Sequence, residues 1–345
     1  MKKHLSFLLI ICLACLVQLQ AQTDKTPFLT KSLQGTSIKN VKVQTSGGGI
    51  TVEGIANGEQ RVEMYVQSND RHDDLTKEQI QKKLDEDYTI EISTSNQQLI
   101  AIAKHKNQII NWRNALNISF KVFAPKNIST DLNTSGGSIS IANVSGSQDF
   151  KTSGGSLHVE HVTGKIKGKT SGGSIEVSDS DNDIDLSTSG GSISAKDCAG
   201  KIELNTSGGS LQLKNLKGDI QAKTSGGSIH GKDITGEIDA HTSGGNIDFE
   251  NISGSLEAST SGGNIEVDMT KLDKYLTLRN SGGSVHLTVP KNQGLDIDLR
   301  GDRVKTKDFA NFSGSVEDDQ VKGKLNGGGA AITVKGNGSV NLAFK

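Results

Sequence analysis

Residues 188–205 read TSGGSISAKDCAGKIELN, and residues 206–223 repeat the same plan as TSGGSLQLKNLKGDIQAK. The tetrapeptide Thr-Ser-Gly-Gly recurs every 18 residues, and a variant Asn-Ser-Gly-Gly follows after an interval of 20. The regular copies begin at residues 134, 152, 170, 188, 206, 224, 242 and 260, the variant begins at 280, and an isolated copy begins at 45. A fixed period of this length is typical of repeat architectures, in which each unit packs against its neighbours.

Apolar residues return at every second position within each repeat, counted from its Thr as position 1. Positions 8, 11, 15 and 17 are mostly apolar, and polar residues lie between them. A period of two indicates strands with one buried face and one solvated face. Position 6 is aliphatic in all eight regular copies: Ile139, Leu157, Ile175, Ile193, Leu211, Ile229, Ile247 and Ile265.

Two further positions predict turns. Position 10 holds Asn143, His161, Asp179, Asp197, Asn215, Asp233 and Asn251. Position 13 holds Gly146, Gly164, Asn182, Gly200, Gly218, Gly236 and Gly254. Asp or Asn at the first place of a type I turn, with Gly at the fourth, is the usual pattern. Asn182 is the residue type that best replaces Gly at left-handed torsions. We therefore expect a type I turn over positions 10–13 and a second corner at each Gly-Gly.

These features predict an all-β fold, a parallel β-solenoid of 18-residue coils. One repeat cannot bury its apolar face alone, whereas coils stacked about 4.8 Å apart pair each strand with its counterparts above and below. The eight regular coils would form a rod about 38 Å long by that spacing. A right-handed solenoid is favoured, because crossovers between parallel strands are overwhelmingly right-handed.

The flanks predict four segments in one elongated chain. Residues 1–21 are a signal peptide, 22–133 an N-terminal β-rich cap, 134–279 the regular solenoid, and 280–345 irregular coils with a C-terminal cap. Thr76 and Gln79 form a capping box that begins one short helix within the N-terminal cap. Trp112 is expected to pack in that cap, with an exposed ligand platform as the alternative.

The first residues favour export. Lys2 and Lys3 precede the apolar stretch 5–17, which is too short to span a membrane, and Leu19-Gln20-Ala21 fits a cleavage site. Lipid attachment at Cys15 is the alternative. Removing Lys2 and Lys3 from the 38 basic residues leaves 36 against 39 acidic ones, a net charge of −3. That balance predicts no nucleic-acid partner, and no later segment is apolar enough to span a bilayer. The expected destination is the periplasm, the outer membrane or the cell surface.

Candidate chemical groups are better explained by the repeat than by a site. Asp179 and Asp197 would stack on adjacent coils and share a cation, yet position 10 already demands turn-forming residues. Position 16 supplies further outward carboxylates, interleaved with lysines. These carboxylates are Asp185, Glu203, Asp239 and Glu257. His158 and His161 are the closest histidine pair, and a zinc site would need further ligands. Cys198 occupies the apolar position 11 and is expected in the core.

The repeats resemble the bacterial putative-adhesin family of β-strand-repeat proteins. The resemblance rests on Thr-Ser-Gly-Gly-[Ser/Asn]-Ile, on the strand ending in Pro125-Lys126-Asn127 and on the closing Asn326-Gly327-Gly328-Gly329, and it covers about residues 38–345. It implies the β-repeat architecture and transfers no catalytic residue. We therefore expect no enzyme activity and no catalytic, cofactor or metal site. The expected function is an exported envelope binding or structural protein whose partner is an envelope protein or a glycan. The alternatives are a polysaccharide-active β-helix enzyme, with its groove near 268–310, and a passive envelope spacer.

Overall fold

The computed structural model describes residues 26–69, 75–106, 115–306 and 311–345. The predicted signal peptide with Cys15, and the predicted position of Trp112, lie outside the described residues.

The described chain is built from strands with one helix, α1, at Lys77–Asp87. The strands that lead to the regular coils are β1 Leu29–Ser32, β2 Asn40–Thr45, β3 Ile50–Ile55, β4 Arg61–Ser68, β5 Tyr88–Ser95, β6 Gln98–His105, β7 Leu116–Pro125 and β8 Ser129–Thr134. The strands of the regular coils are β9 Ile139–Ala142, β10 Ser145–Lys151, β11 Leu157–Glu160, β12 Thr163–Thr170, β13 Ile175–Ser178, β14 Asp181–Thr188, β15 Ile193–Thr206, β16 Leu211–Lys223, β17 Ile229–Thr242, β18 Ile247–Thr260 and β19 Ile265–Asn280. The C-terminal strands are β20 Val285–Val289, β21 Leu295–Arg300, β22 Arg303–Thr306, β23 Phe312–Val316, β24 Gln320–Leu325, β25 Ala330–Gly336 and β26 Ser339–Phe344.

Each repeat makes one coil, and successive coils pair in parallel with a register of 18 residues. Ile193 of β15 lies opposite Leu211 of β16, which lies opposite Ile229 of β17. We call the strand segments at coil positions 14–18 wall A and those at positions 6–9 wall B. Because both walls keep the same register from coil to coil, the predicted parallel β-solenoid is confirmed. Its right-handedness stays a prediction.

The core runs along the axis between the two walls. Side chains at position 6 are almost fully buried in all eight regular coils, and those at positions 11 and 15 are almost fully buried in the first seven, as the alternation predicts. In the coil that starts at Thr206, these are Leu211, Leu216 and Ile220. The continuous apolar column supplies the burial that a single coil lacks.

The corner after wall B differs from the predicted type I turn. Each residue at position 10 is itself left-handed, with φ between 50° and 59°, and the chain continues from it directly into the next strand segment. One residue therefore makes the bend, and Asn and Asp suit it because they tolerate this region best among non-glycine residues. Position 13 is also left-handed: Gly200 has φ 116° and Asn182 has φ 91°. The prediction that position 13 holds Gly or Asn because its backbone is left-handed is confirmed.

The Gly-Gly corner is shaped by close approach between coils. A Cβ atom on Gly173, the second glycine of its pair, would lie 2.1 Å from the carbonyl oxygen of Gly155 in the preceding coil. Thr170 is fully buried beside this corner. Its Oγ1 donates to the Gly155 carbonyl at 2.7 Å and accepts from the Gly173 N–H at 3.3 Å. The threonine thus satisfies two backbone groups where no strand partner reaches them.

The variant Asn280 reproduces this arrangement with its amide. Its Nδ2 donates to the Gly263 carbonyl at 2.9 Å, and its Oδ1 accepts from the N–H groups of Gly282 and Gly283, each at 2.9 Å. The amide carries both a donor and an acceptor, as the threonine hydroxyl does. This shared capacity explains why Asn can open a repeat in place of Thr.

At each end of the stack, the coil that comes first or last along the chain is the second layer, and a coil from further inside the sequence is the outermost layer. Strands β2 and β3 sit between the outer coil β6–β7 and the first regular coil β8–β9. The isolated Thr45 therefore lies opposite Thr134 across the register. At the other end, β25 and β26 lie between β19–β20 and the outer coil β21–β22.

Antiparallel strands then cover most of the open edges. Strand β5 covers β6, β4 covers β7, and β1 pairs with the other edge of β4. At the C-terminal end, β24 covers β21, and β23 pairs with the other edge of β24. Helix α1 begins at the predicted capping box, in which the Gln79 N–H donates to the Thr76 side chain at 3.3 Å and the Thr76 N–H donates to Gln79 Oε1 at 2.8 Å. Such covers limit edge-to-edge pairing with other chains. The four segment boundaries predicted from sequence stay predictions.

Candidate functional site

Two adjoining depressions lie on wall B. The first has a volume of about 490 Å³ and the second about 220 Å³, and Gln212 lines both. We call the continuous surface the wall B groove. Its outward side chains are Ser156, His158, Ser174, Glu176, Ser192, Ser194, Gln212, Lys214, His230, Lys232, Asp248 and Glu250. It crosses six coils, a length of about 24 Å at 4.8 Å per coil.

The shape of the groove follows from residue size in the repeat. At position 7, Ser194 lies between the larger Glu176 and Gln212 of the neighbouring coils. Further along, Gly231 occupies position 8, where a Cβ atom would lie 2.3 Å from the ring of Phe249. The ring therefore occupies the core space that a side chain at Gly231 would take.

A ladder of serines runs along position 5, and Ser156, Ser174 and Ser192 of this ladder line the groove. The N–H of Ser156 donates to Ser138 Oγ at 3.1 Å, and the N–H of Ser210 donates to Ser192 Oγ at 3.1 Å. Ser228 continues the ladder to Ser210 at 3.2 Å. Each of these oxygens accepts a hydrogen bond from the backbone of the next coil, while its hydroxyl group remains at the surface. The groove wall is therefore polar.

A row of lysines lies at position 9, and Lys214 and Lys232 of this row line the groove. Lys196, Lys214 and Lys232 lie in register on consecutive coils. Lys232 Nζ donates to Glu250 Oε1 at 2.8 Å, and this hydrogen bond raises the pKa of the lysine. The groove therefore offers hydroxyl, amide, ammonium and carboxylate groups along one line.

The stacked carboxylates at position 10 have different partners. Asp197 Oδ1 accepts from Asn215 Nδ2 at 2.5 Å, and Asp197 Oδ2 lies 3.2 Å from Lys196 Nζ. The hydrogen bond from Asn215, and then that from Lys196, lowers the pKa of Asp197. Asp179 lies instead near His161 of the preceding coil.

The carboxylates at position 16 lie on wall A, on the other side of the core. Asp185 and Glu203 are direct neighbours across the register. Burial, and next the charge of Glu203, raises the pKa of Asp185. The other two have polar or basic neighbours: Asp239 accepts from Gln221 at 3.1 Å, and Glu257 contacts Arg279. This row is a mainly acidic outward face, in which Lys167 and Gln221 interrupt the carboxylates.

The region near 268–310 pairs its charges in the same way. Asp268 contacts Lys345, Asp273 lies 2.8 Å from Lys271, and Asp298 lies 3.3 Å from Arg300. Each of these carboxylates has a basic partner beside it. The catalytic groove that the enzyme alternative expects here stays a prediction.

His158 and His161 lie close to more carboxylates than the sequence predicts. His158 Nδ1 lies 3.4 Å from Glu176 Oε2, as the repeat predicts, and His158 Nε2 lies 3.8 Å from Glu160 Oε2. His161 Nδ1 lies 3.6 Å from Glu160 Oε1. The sequence did not predict the contacts of Glu160 with the histidines, because position 9 carries no fixed residue type. The available signal was His161, which occupies a position that six other coils give to Asn or Asp.

Cys198 lies in the core, as its position predicts. It is 2% exposed, and burial raises the pKa of its thiol to about 11. The group is therefore protonated at neutral pH and poorly reactive as a nucleophile.

The parallel register, the two walls and the threonine-glycine corners define a β-solenoid repeat protein. Residues 178–338 match the family model Toastrack DUF4097. This part of the chain is similar to that domain, and the predicted resemblance to a β-strand-repeat family is confirmed.

Two solved structures are similar to the chain over most of its length. A putative cell adhesion protein from Clostridium sporogenes ATCC 15579 has 9% identity and a TM-score of 0.21, covering 92% of this chain and 98% of its own. A putative adhesin from Bacteroides fragilis NCTC 9343 has 11% identity and a TM-score of 0.25, covering 92% of this chain and 96% of its own. No curated protein matches the chain. Within the described residues, no helix has the length and apolar character needed to cross a membrane.

Proposed function

We propose that this protein is an exported, non-enzymatic binding protein of the cell envelope, and that the wall B groove binds an extended glycan. The observation that carries the proposal is the continuity of the groove, whose two depressions share Gln212 and cross six coils. An extended chain laid along the solenoid axis would meet polar side chains on every coil that it crosses. The basic and apolar pattern of residues 1–21 supports export.

The chemistry of the groove favours a glycan over a protein partner. Serine hydroxyls and the Gln212 amide match a ligand rich in hydroxyl groups, because each can donate and accept hydrogen bonds. Energetically dominant contacts between proteins are instead enriched in buried aromatic residues and Arg. Among the described residues, the exposed large hydrophobic side chains are Leu29 and Val316, and neither lies in the groove.

Two observations support a role without catalysis. The single cysteine of the described chain is buried and protonated at neutral pH. The carboxylates Asp197, Glu250 and Glu257 face amide or basic partners that hold them as ion pairs or hydrogen-bond acceptors. A general acid needs a raised pKa beside a bound substrate, and the one raised carboxyl described, Asp185, lies on wall A away from the groove.

The test is binding of the purified protein, lacking residues 1–21, to envelope glycans on an array. Ser194→Tyr places a bulky ring inside the groove, whereas Ser140→Tyr places the same ring at position 7 outside it. Both positions face solvent, so the fold should tolerate both rings. We expect Ser194→Tyr to abolish binding and Ser140→Tyr to leave it unchanged.

Other results would reject the proposal in distinct ways. Equal binding by both variants would place the ligand elsewhere. Binding only to envelope proteins would support the protein alternative, glycan turnover would support the enzyme, and no ligand at all would leave the passive spacer. Fractionation of native cells tests export separately, and recovery in the cytoplasm would contradict it.

A further inference from the structure

We propose that Glu160, His161 and Asp179 form a surface site for a divalent transition-metal ion such as Zn²⁺. One ligand atom from each residue lies within 4.8 Å of the other two. The site joins two consecutive coils at the corner after wall B, since His161 and Asp179 both occupy position 10. This inference does not rest on the proposed glycan binding.

The backbone orients two of the three ligands. His161 has φ 52° and Asp179 has φ 50°, so the same left-handed corner presents both side chains in the same way, one coil apart. Glu160 precedes the first corner at the end of β11. Its carboxylate lies between two imidazoles, 3.6 Å from His161 Nδ1 and 3.8 Å from His158 Nε2.

The fold alone does not require the histidine. Six of the first seven regular coils place Asn or Asp at this corner, and those residues suit left-handed torsions best. A histidine is found only in the coil where Glu160 precedes it and Asp179 lies on the next coil. The departure from the repeat therefore coincides with the two carboxylates that complete a ligand set.

The ligand types indicate which ions would bind. An imidazole with carboxylates suits Zn²⁺ and neighbouring transition ions, whereas Ca²⁺ prefers an all-oxygen shell. Bonds of about 2.0–2.2 Å require the three ligand atoms to close in around the ion. The side chains are at the surface, with 56% of the His161 side chain exposed, so they can move together but are not preorganised. We expect micromolar rather than nanomolar affinity, and water would complete the coordination.

The repeat supplies substitutions that the fold already accepts. Position 10 is Asn in other coils, as at Asn143 and Asn215, and position 9 is Ala at Ala142. The variants His161→Asn, Asp179→Asn and Glu160→Ala should therefore fold like the natural chain. Glu250→Ala is the matched control, because it removes a carboxylate from position 9 of a coil whose position 10 is Asn251.

The experiment is isothermal titration of ZnCl₂ into the protein lacking residues 1–21 and any affinity tag. We expect one site per chain with micromolar affinity, weakened at least tenfold in each of the three variants and unchanged in Glu250→Ala. In NMR spectra, Zn²⁺ should shift the His161 imidazole signals.

Two results would overturn the proposal. One is the absence of saturable binding by the natural chain. The other is binding that His161→Asn leaves undiminished, which would assign the ion to other surface histidines such as His230 or His241.

Discussion

At the scale of single residues, the repeat is fixed by steric contact and by backbone hydrogen bonds rather than by side-chain chemistry. The second glycine of each corner leaves room for the carbonyl of the preceding coil, and the threonine bonds to that same carbonyl. Position 13 requires left-handed torsions, and position 10 tolerates them. These requirements explain why residues that look like a functional motif recur in every coil.

The two glycines of one corner should respond very differently to alanine. In Gly173→Ala the new Cβ would lie 2.1 Å from a backbone oxygen, whereas in Gly172→Ala the nearest atom is 3.5 Å away, an ordinary contact. We expect Gly173→Ala to destabilise the fold by about 3 kcal/mol or more and Gly172→Ala by less than about 1 kcal/mol. Urea unfolding followed by circular dichroism measures both. Equal losses would contradict the close approach of the coils.

The pKa of Asp185 predicts a pH dependence with a definite sign. Because burial and Glu203 raise the pKa in the folded protein, the folded state binds the proton more tightly than the unfolded state. Stability linked to this group is present below the unfolded pKa and is lost as the pH rises through the folded pKa. Asp185→Asn should therefore raise the melting temperature slightly at pH 7 and bring no gain at pH 3. Asp131→Asn is the control, because Asp131 lies 3.4 Å from Lys42, and it should bring no gain at pH 7.

At the scale of elements, the alternation within the coil predicted both walls and the buried rows. Position 6 is buried in every regular coil, as its aliphatic residues require. The single-residue bend at position 10 was mistaken for a type I turn, because Asn and Asp favour both structures. Local residue preference cannot distinguish them, whereas the φ angles of the structure do.

Removing one whole coil should leave the fold intact. Deletion of 206–223 joins Asn205 to Thr224 and keeps every later row in register. Deletion of the nine residues 206–214 instead offsets the remaining part of that coil from its neighbours, so that its buried and exposed rows no longer align. We expect the first variant to remain soluble with strand-type circular dichroism and a rod about 5 Å shorter by X-ray scattering. The second should unfold or aggregate, and equal behaviour of the two would contradict independent coils.

At the scale of the whole molecule, the stack order at the ends was beyond sequence reasoning. Thr45 and Thr134 are neighbours across the register although the chain between them forms the outer coil and its cover. The isolated Thr-Ser-Gly-Gly at 45–48 was a hint of a coil, but spacing along the chain cannot say which coil it meets. The same holds for the candidate sites, because the wall B groove and the Glu160 cluster arise from residues that only the register brings together.

The central claim is that each 18-residue segment adds one layer to a single parallel stack. Double electron–electron resonance tests it with spin labels on cysteines introduced at position 7. The background is the protein lacking residues 1–21, and thus Cys12 and Cys15, with Cys198→Val, which follows Val144 and Val162 at position 11. Ser140 and Gln212 lie four layers apart, and Ser140 and Glu266 lie seven layers apart, which predicts separations of about 19 Å and 34 Å. Distances that grow in this proportion would support the stack. A seven-layer distance equal to or shorter than the four-layer one, or a distribution too broad to define either, would contradict it.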